Sequence, residues 1–144
     1  MTRFVPRWFS PVPLLLLVLA GLVPGCRAPQ AYEGERRPEH EVAVLGVRYD
    51  LRGTDIWIER IDGRAQTVES GSEVEILPGA HVLEGRARGF AQPRVGAPFR
   101  IEFLARAGAR YELVLDQPPR SERLLISVED RATEEQVADL EIWP

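Results

Sequence analysis

Any chemistry in this chain would have to come from a small set of side chains. His40 and His81 are its only imidazoles, Cys26 is its only thiol, and all 18 of its basic residues are arginine. The absence of lysine and asparagine excludes a Schiff-base or P-loop lysine and an N-glycosylation acceptor. A metal held by both histidines would require the polar segment around His40 to fold back onto His81, so no metal site is expected. A serine nucleophile would need His81 beside Ser70, Ser72, Ser121 or Ser127 together with an acid, and no Gly-x-Ser-x-Gly elbow marks any of them. The 22 acidic residues allow many carboxylate pairs. Glu73 and Glu75 alternate with Val74 and Ile76, which places the two carboxylates on a solvated strand face. If Pro78-Gly79 turns a tight hairpin that pairs Leu77 with Ala80, Ile76 faces His81 and Val74 faces Leu83. His81 then lies on an apolar face as a partly buried histidine bonded to backbone. No catalytic residue and no cofactor is expected.

Two groups have the character of a binding surface. Arg86, Arg88 and Arg94, with Phe90, flank a ten-residue loop from Gly89 to Pro98, long enough for recognition. Their guanidinium forks suit carboxylates or phosphates. Ordinary surface charging would also cluster arginines in a chain whose every cation is arginine. Trp57 shares a strand face with Asp55 and Glu59, which would allow a sugar-stacking platform, although such a residue more often packs in the core or at an edge.

These side chains need a scaffold, and the length and composition bound what it can be. At 144 residues and 44% hydrophobic, the chain suits one modest domain and leaves no room for several membrane spans. One cysteine excludes a disulfide framework. From Glu41 onward, short runs of Val, Ile, Leu and aromatics are broken by Gly, Pro or Asp-Gly, the signature of an all-β domain. Val42 to Val47 reads as a strand covered on both faces. Asp55 to Ile61 alternates and runs into the Asp62-Gly63 turn. Val74 and Ile76 precede Pro78-Gly79, and Ala80 to Arg88 forms a further strand. Phe99, Ile101 and Phe103 alternate, turn at Ala107-Gly108 and continue into Tyr111, Leu113 and Leu115, as a hairpin would. After Pro118-Pro119, Leu124, Ile126 and Val128 alternate. Thr133-Glu134-Glu135-Gln136 matches a helix capping box, but Ala138, Leu140 and Ile142 alternate as a strand, and a strand paired with 123–129 is expected. The resulting fold class is a β-sandwich of seven to eight mostly antiparallel strands over residues 41–144.

The N-terminus has the grammar of an export signal. Arg3 and Arg7 precede a ten-residue apolar run, Leu14 to Val23, too short to span a bilayer. The sequence Leu22-Val23-Pro24-Gly25-Cys26 resembles a bacterial lipobox. That resemblance implies removal of residues 1–25, diacylation of Cys26 as the new N-terminus, and, with Arg27 rather than Asp next, sorting to the outer membrane facing the periplasm. Several acyl chains would make the attachment effectively permanent. Loss of Arg3 and Arg7 makes the net charge more negative than the −4 of the whole chain, which argues against nucleic acid and against polybasic docking on lipid. Residues 26–40 are polar and Pro-broken and read as a flexible tether with an r.m.s. span of roughly 20 Å.

Three stretches carry a second resemblance: Ile56 to Gly63; Val74-Glu75-Ile76-Leu77-Pro78-Gly79-Ala80-His81-Val82-Leu83; and Arg88-Gly89-Phe90. Together they resemble a PEGA-like small β-domain. The wider run, from Glu41-Val42-Ala43-Val44-Leu45 to Phe103 through Tyr111, is similar to short, uncharacterised proteobacterial lipoproteins. The resemblance implies an envelope interaction module without catalytic residues. The expected function is a lipid-anchored, non-enzymatic binding or scaffolding module. It would meet the membrane through its lipid and an envelope protein or glycan through its surface. The alternatives are an envelope hydrolase acting on glycan or peptide through carboxylates or His81, and a small-ligand carrier using the strand-end loops.

Overall fold

The structure, a computed structural model, describes residues 27–48, 53–90 and 96–143. The expected leader, the expected acylation site Cys26 and the loop arginine Arg94 lie outside the described residues. Nine strands run in chain order: β1 Ala43–Val47, β2 Asp55–Ile61, β3 Arg64–Val68, β4 Glu73–Ile76, β5 Gly79–Arg88, β6 Ala97–Ala105, β7 Arg110–Asp116, β8 Leu124–Asp130 and β9 Gln136–Ile142. They form a five-stranded sheet, β4-β1-β7-β8-β9, and a four-stranded sheet, β3-β2-β5-β6. The chain is thus an all-β sandwich, with one strand more than the upper expectation. The extra strand is β3, Arg64-Ala65-Gln66-Thr67-Val68, whose single buried residue, Val68, gives it almost no apolar alternation. No helix among the described residues is long and apolar enough to cross a membrane.

Apolar alternation fills the space between the sheets. Ile56, Ile58, Leu83, Phe99, Ile101 and Phe103 from one sheet meet Leu45, Val74, Tyr111, Leu113, Ile126 and Val128 from the other. Phe103 and Tyr111 pack edge to face with ring centroids 5.2 Å apart. The Tyr111 hydroxyl accepts the backbone N–H of Arg106 at 3.0 Å, so its burial leaves no orphaned oxygen. Strand β1 sits between antiparallel β4 and parallel β7, which explains its nearly continuous burial.

Two turns form as the sequence indicates. Asp62 and Gly63 take φ values of 53° and 76°, the left-handed pair that a two-residue hairpin needs between β2 and β3. The last stretch is a strand paired antiparallel with β8, not a helix. Thr133 does not open a capping box there; its hydroxyl accepts the Glu135 amide within the loop. Asp130 organises that loop, accepting the Ala132 amide at 2.9 Å and Arg106 Nη2 at 2.7 Å.

Two expected hairpins are instead crossings between sheets. β6 and β7 belong to different sheets, and so do β4 and β5. Strand β4 pairs with β1, whereas β5 pairs with β2 and β6, so His81 sits opposite Phe103 in its sheet rather than Ile76. A short turn between two alternating strands can close a hairpin or turn a corner of a sandwich, and alternation is the same in both.

The described part of the expected flexible tether of residues 26–40 is instead held against the body at its start. The amide of Ala31 donates to Glu75 O at 2.8 Å and that of Glu75 donates to Pro29 O at 2.7 Å, which lays the segment along the outer edge of β4. Ala31 packs against the core. Glu75, expected in solvent, is covered as a result and its side chain is only 3% exposed.

Candidate functional site

The outer face of the four-stranded sheet brings together Trp57, Arg86 and Arg88. Trp57 pairs with Arg86 across β2 and β5, and Asp55 pairs with Arg88. A β-bulge between Ile58 and Arg60 shifts this ladder. Bulges re-aim side chains, and the extra residue here, Glu59, reaches both neighbours. Its Oε1 accepts from Trp57 Nε1 at 3.3 Å and from Arg86 Nε at 3.2 Å. Arg88 Nη2 donates to Asp55 Oδ2 at 3.2 Å. Arg86 Nη1 also reaches Gly96 O at 3.4 Å.

The arrangement is therefore a strip of Asp55, Trp57, Glu59, Arg86 and Arg88 with its charges already matched. The arginines are not an open anion fork, since a ligand phosphate would have to displace Glu59 or Asp55. The half-buried indole is held edge-on to a carboxylate and beside a guanidinium. This suits a neutral hydroxylated ligand, which can stack on a ring and exchange hydrogen bonds with the flanking polar groups.

Phe90 does not join the strip. It is 70% exposed at the end of β5, where its amide donates to Gln117 Oε1 at 2.8 Å. There it lines a shallow depression with Thr54 and the 116–121 turn. Sequence spacing put Phe90 beside the arginines because it follows Arg88 by two residues; the strand ends between them.

His81 is buried and bonded at both ring nitrogens, Nδ1 to Asp62 Oδ2 at 2.7 Å and Nε2 to Leu77 O at 2.6 Å. It ties the β2–β3 turn to the β4–β5 crossing and leaves neither nitrogen facing a substrate position. Among the described residues no group of three or more His, Cys, Asp or Glu is placed to hold a metal ion.

A second charged region, missed by the sequence reading, lies over β4. Glu75 Oε1 accepts Arg27 Nε at 2.8 Å and Arg36 Nε stands 3.4 Å from Oε2, which accepts no hydrogen bond. Next to it, Glu73 receives Arg110 at 2.6 Å and Arg131 at 2.8 Å. The signal for this cluster was present only as a polar N-terminal segment rich in arginine, with nothing local to say where it docks.

No family model matches the chain, and neither the curated proteins nor the solved structures contain a match to it.

Proposed function

We propose that this chain is a lipid-anchored protein of the bacterial envelope that binds or scaffolds an envelope component without catalysis. The Trp57 strip is its contact surface and an envelope glycan the favoured ligand. The observation that carries the ligand class is the partly exposed indole bonded to Glu59, itself held by Arg86, on a sheet face. A preorganised aromatic flanked by matched polar groups recognises sugars at small entropic cost. The anchor rests on the lipobox-like run ending at Cys26 and on the export signal before it.

Two measurements test this reading. Radioactive palmitate is expected to label the wild-type chain and not Cys26→Ala; label that persists in the variant overturns the anchor. Isolated envelope glycan should co-sediment with the protein, and Trp57→Ala, on an outer strand face, should weaken binding about two- to tenfold, the scale of a lost stacking contact of about 0.5–1.5 kcal/mol. Unchanged sedimentation in Trp57→Ala overturns the surface.

A further inference from the structure

The segment that follows Cys26 is folded onto the body from its first described residue. Arg27 Nε holds Glu75 Oε1 at 2.8 Å and Arg27 Nη2 donates to Arg37 O at 3.0 Å. Two backbone hydrogen bonds then join Pro29 and Ala31 to Glu75. Gln30 Nε2 turns the segment back on itself by donating to Tyr32 O and Gly34 O, both at 3.0 Å. Glu33 reaches Arg64 of β3 at 3.2 Å. Ala28 and Pro29 line an open depression at this edge together with Gln66, Thr67 and Val68 of β3 and Glu73 and Val74 of β4. The segment therefore covers the seam between the two sheets on the β3/β4 side, while β6 lies alongside β9 on the other. An open strand edge is a liability, and here the chain's own N-terminal segment occupies it.

We propose that residues 27–33 are a docked strap that holds the sandwich directly on its lipid anchor, with the β3/β4 edge toward the bilayer and the β9 edge away from it. This rests on the acylation of Cys26 proposed above. One peptide link separates Cys26 from Arg27, whose guanidinium is tied to a buried carboxylate, so no slack chain lies between anchor and body. A flexible tether over the whole of residues 26–40 would let the body wander over roughly 20 Å. Strand β9 stands four strand spacings from β4, about 19 Å, so a fixed body keeps its two edges at different heights.

The test uses the full acylated chain in phosphatidylethanolamine/phosphatidylglycerol vesicles whose headgroups carry a nitroxide quencher. A fluorophore is placed at Ala65→Cys on β3 or Asp139→Cys on β9, both exposed positions. The β3 label should be quenched several-fold more than the β9 label, and the difference should collapse in Glu75→Gln and in Arg27→Ala. The second variant alters a partly exposed side chain and keeps the test decisive if the first does not fold. Equal quenching of the two labels in the wild-type background overturns the strap, as does an asymmetry that survives both variants. Palmitate labelling of the same samples separates the two ideas: acylated protein with equal quenching overturns the strap alone, and absence of acylation overturns the anchor and the strap with it.

Discussion

At the scale of a single residue, Asp130 shows how one carboxylate fixes a loop. It is 3% exposed, and its pKa is held below the ordinary carboxylate value by the Ala132 amide and then by Arg106, against the opposing effect of burial. A carboxyl group lowered in the folded state stabilises the fold above its unfolded pKa, and that contribution is lost as pH falls through the folded value. Asp130→Asn should therefore destabilise the protein by about 1.5–3 kcal/mol near pH 7, the range for hydrogen bonds to a charged group. The gap between wild type and variant should close as pH drops below about 4. Urea unfolding at pH 7 and pH 3 measures it, and a gap of the same size at both would refute the assignment. His81 illustrates the same scale differently: its place on an apolar face and its backbone bond were expected from a β4–β5 hairpin that does not form, the alternation within β5 leads to the same face, and its partner Asp62 had no local sign. That contact joins the β2–β3 turn to β5, which only the β2–β5 pairing brings together.

At the scale of elements, local apolar patterning located eight of the strands, β1 by a continuous run and most others by alternation, and it failed where the signal was shared by two geometries. Phe99-x-Ile101-x-Phe103 and Tyr111-x-Leu113-x-Leu115 are alternating strands whether they pair in one sheet or face each other across the core. Only the tertiary fold decides. The bulge at Glu59 was in fact written into the spacing, because apolar positions run Ile56, Ile58, Ile61 and so slip by one residue. The candidate strip inherits its geometry from that slip. Burial of Glu75 had no local sign, since it depends on a segment more than thirty residues away. The β2–β5–β6 region also explains a glycine inside a strand. A Cβ at Gly85 would stand 2.1 Å from Trp57 O and 2.9 Å from two Phe99 ring atoms, so the absence of a side chain lets the Phe99 ring lie against the sheet. Gly85→Ala should lower stability by about 1–3 kcal/mol, as overpacking does. Thermal unfolding checks it; a variant as stable as wild type would show that the β2 backbone at Trp57, as well as the Phe99 ring, can give way.

At the scale of the molecule, the order in which the chain is made differs from the order in which its sheets can close. Strand β1 occupies an interior position, and its parallel partner β7 pairs Leu45 with Tyr111. Folding should therefore be governed by non-local pairing and run in the millisecond-to-second range typical of sandwiches. Leu45, wholly buried in β1, tests where that pairing falls along the route. Leu45→Ala should cost about 2–5 kcal/mol, and if the non-local pairing of β1 with β7 follows the rate-limiting step, most of that loss appears as faster unfolding. Stopped-flow chevrons decide the matter, and a loss carried mainly by the folding limb would place β1 in the nucleus. During synthesis, β1 leaves the ribosome well before its parallel neighbour exists. Until residues near Asp116 have emerged, one side of that apolar strand has nothing native to bind, and any factor that shields nascent chains would find its longest-lived target there.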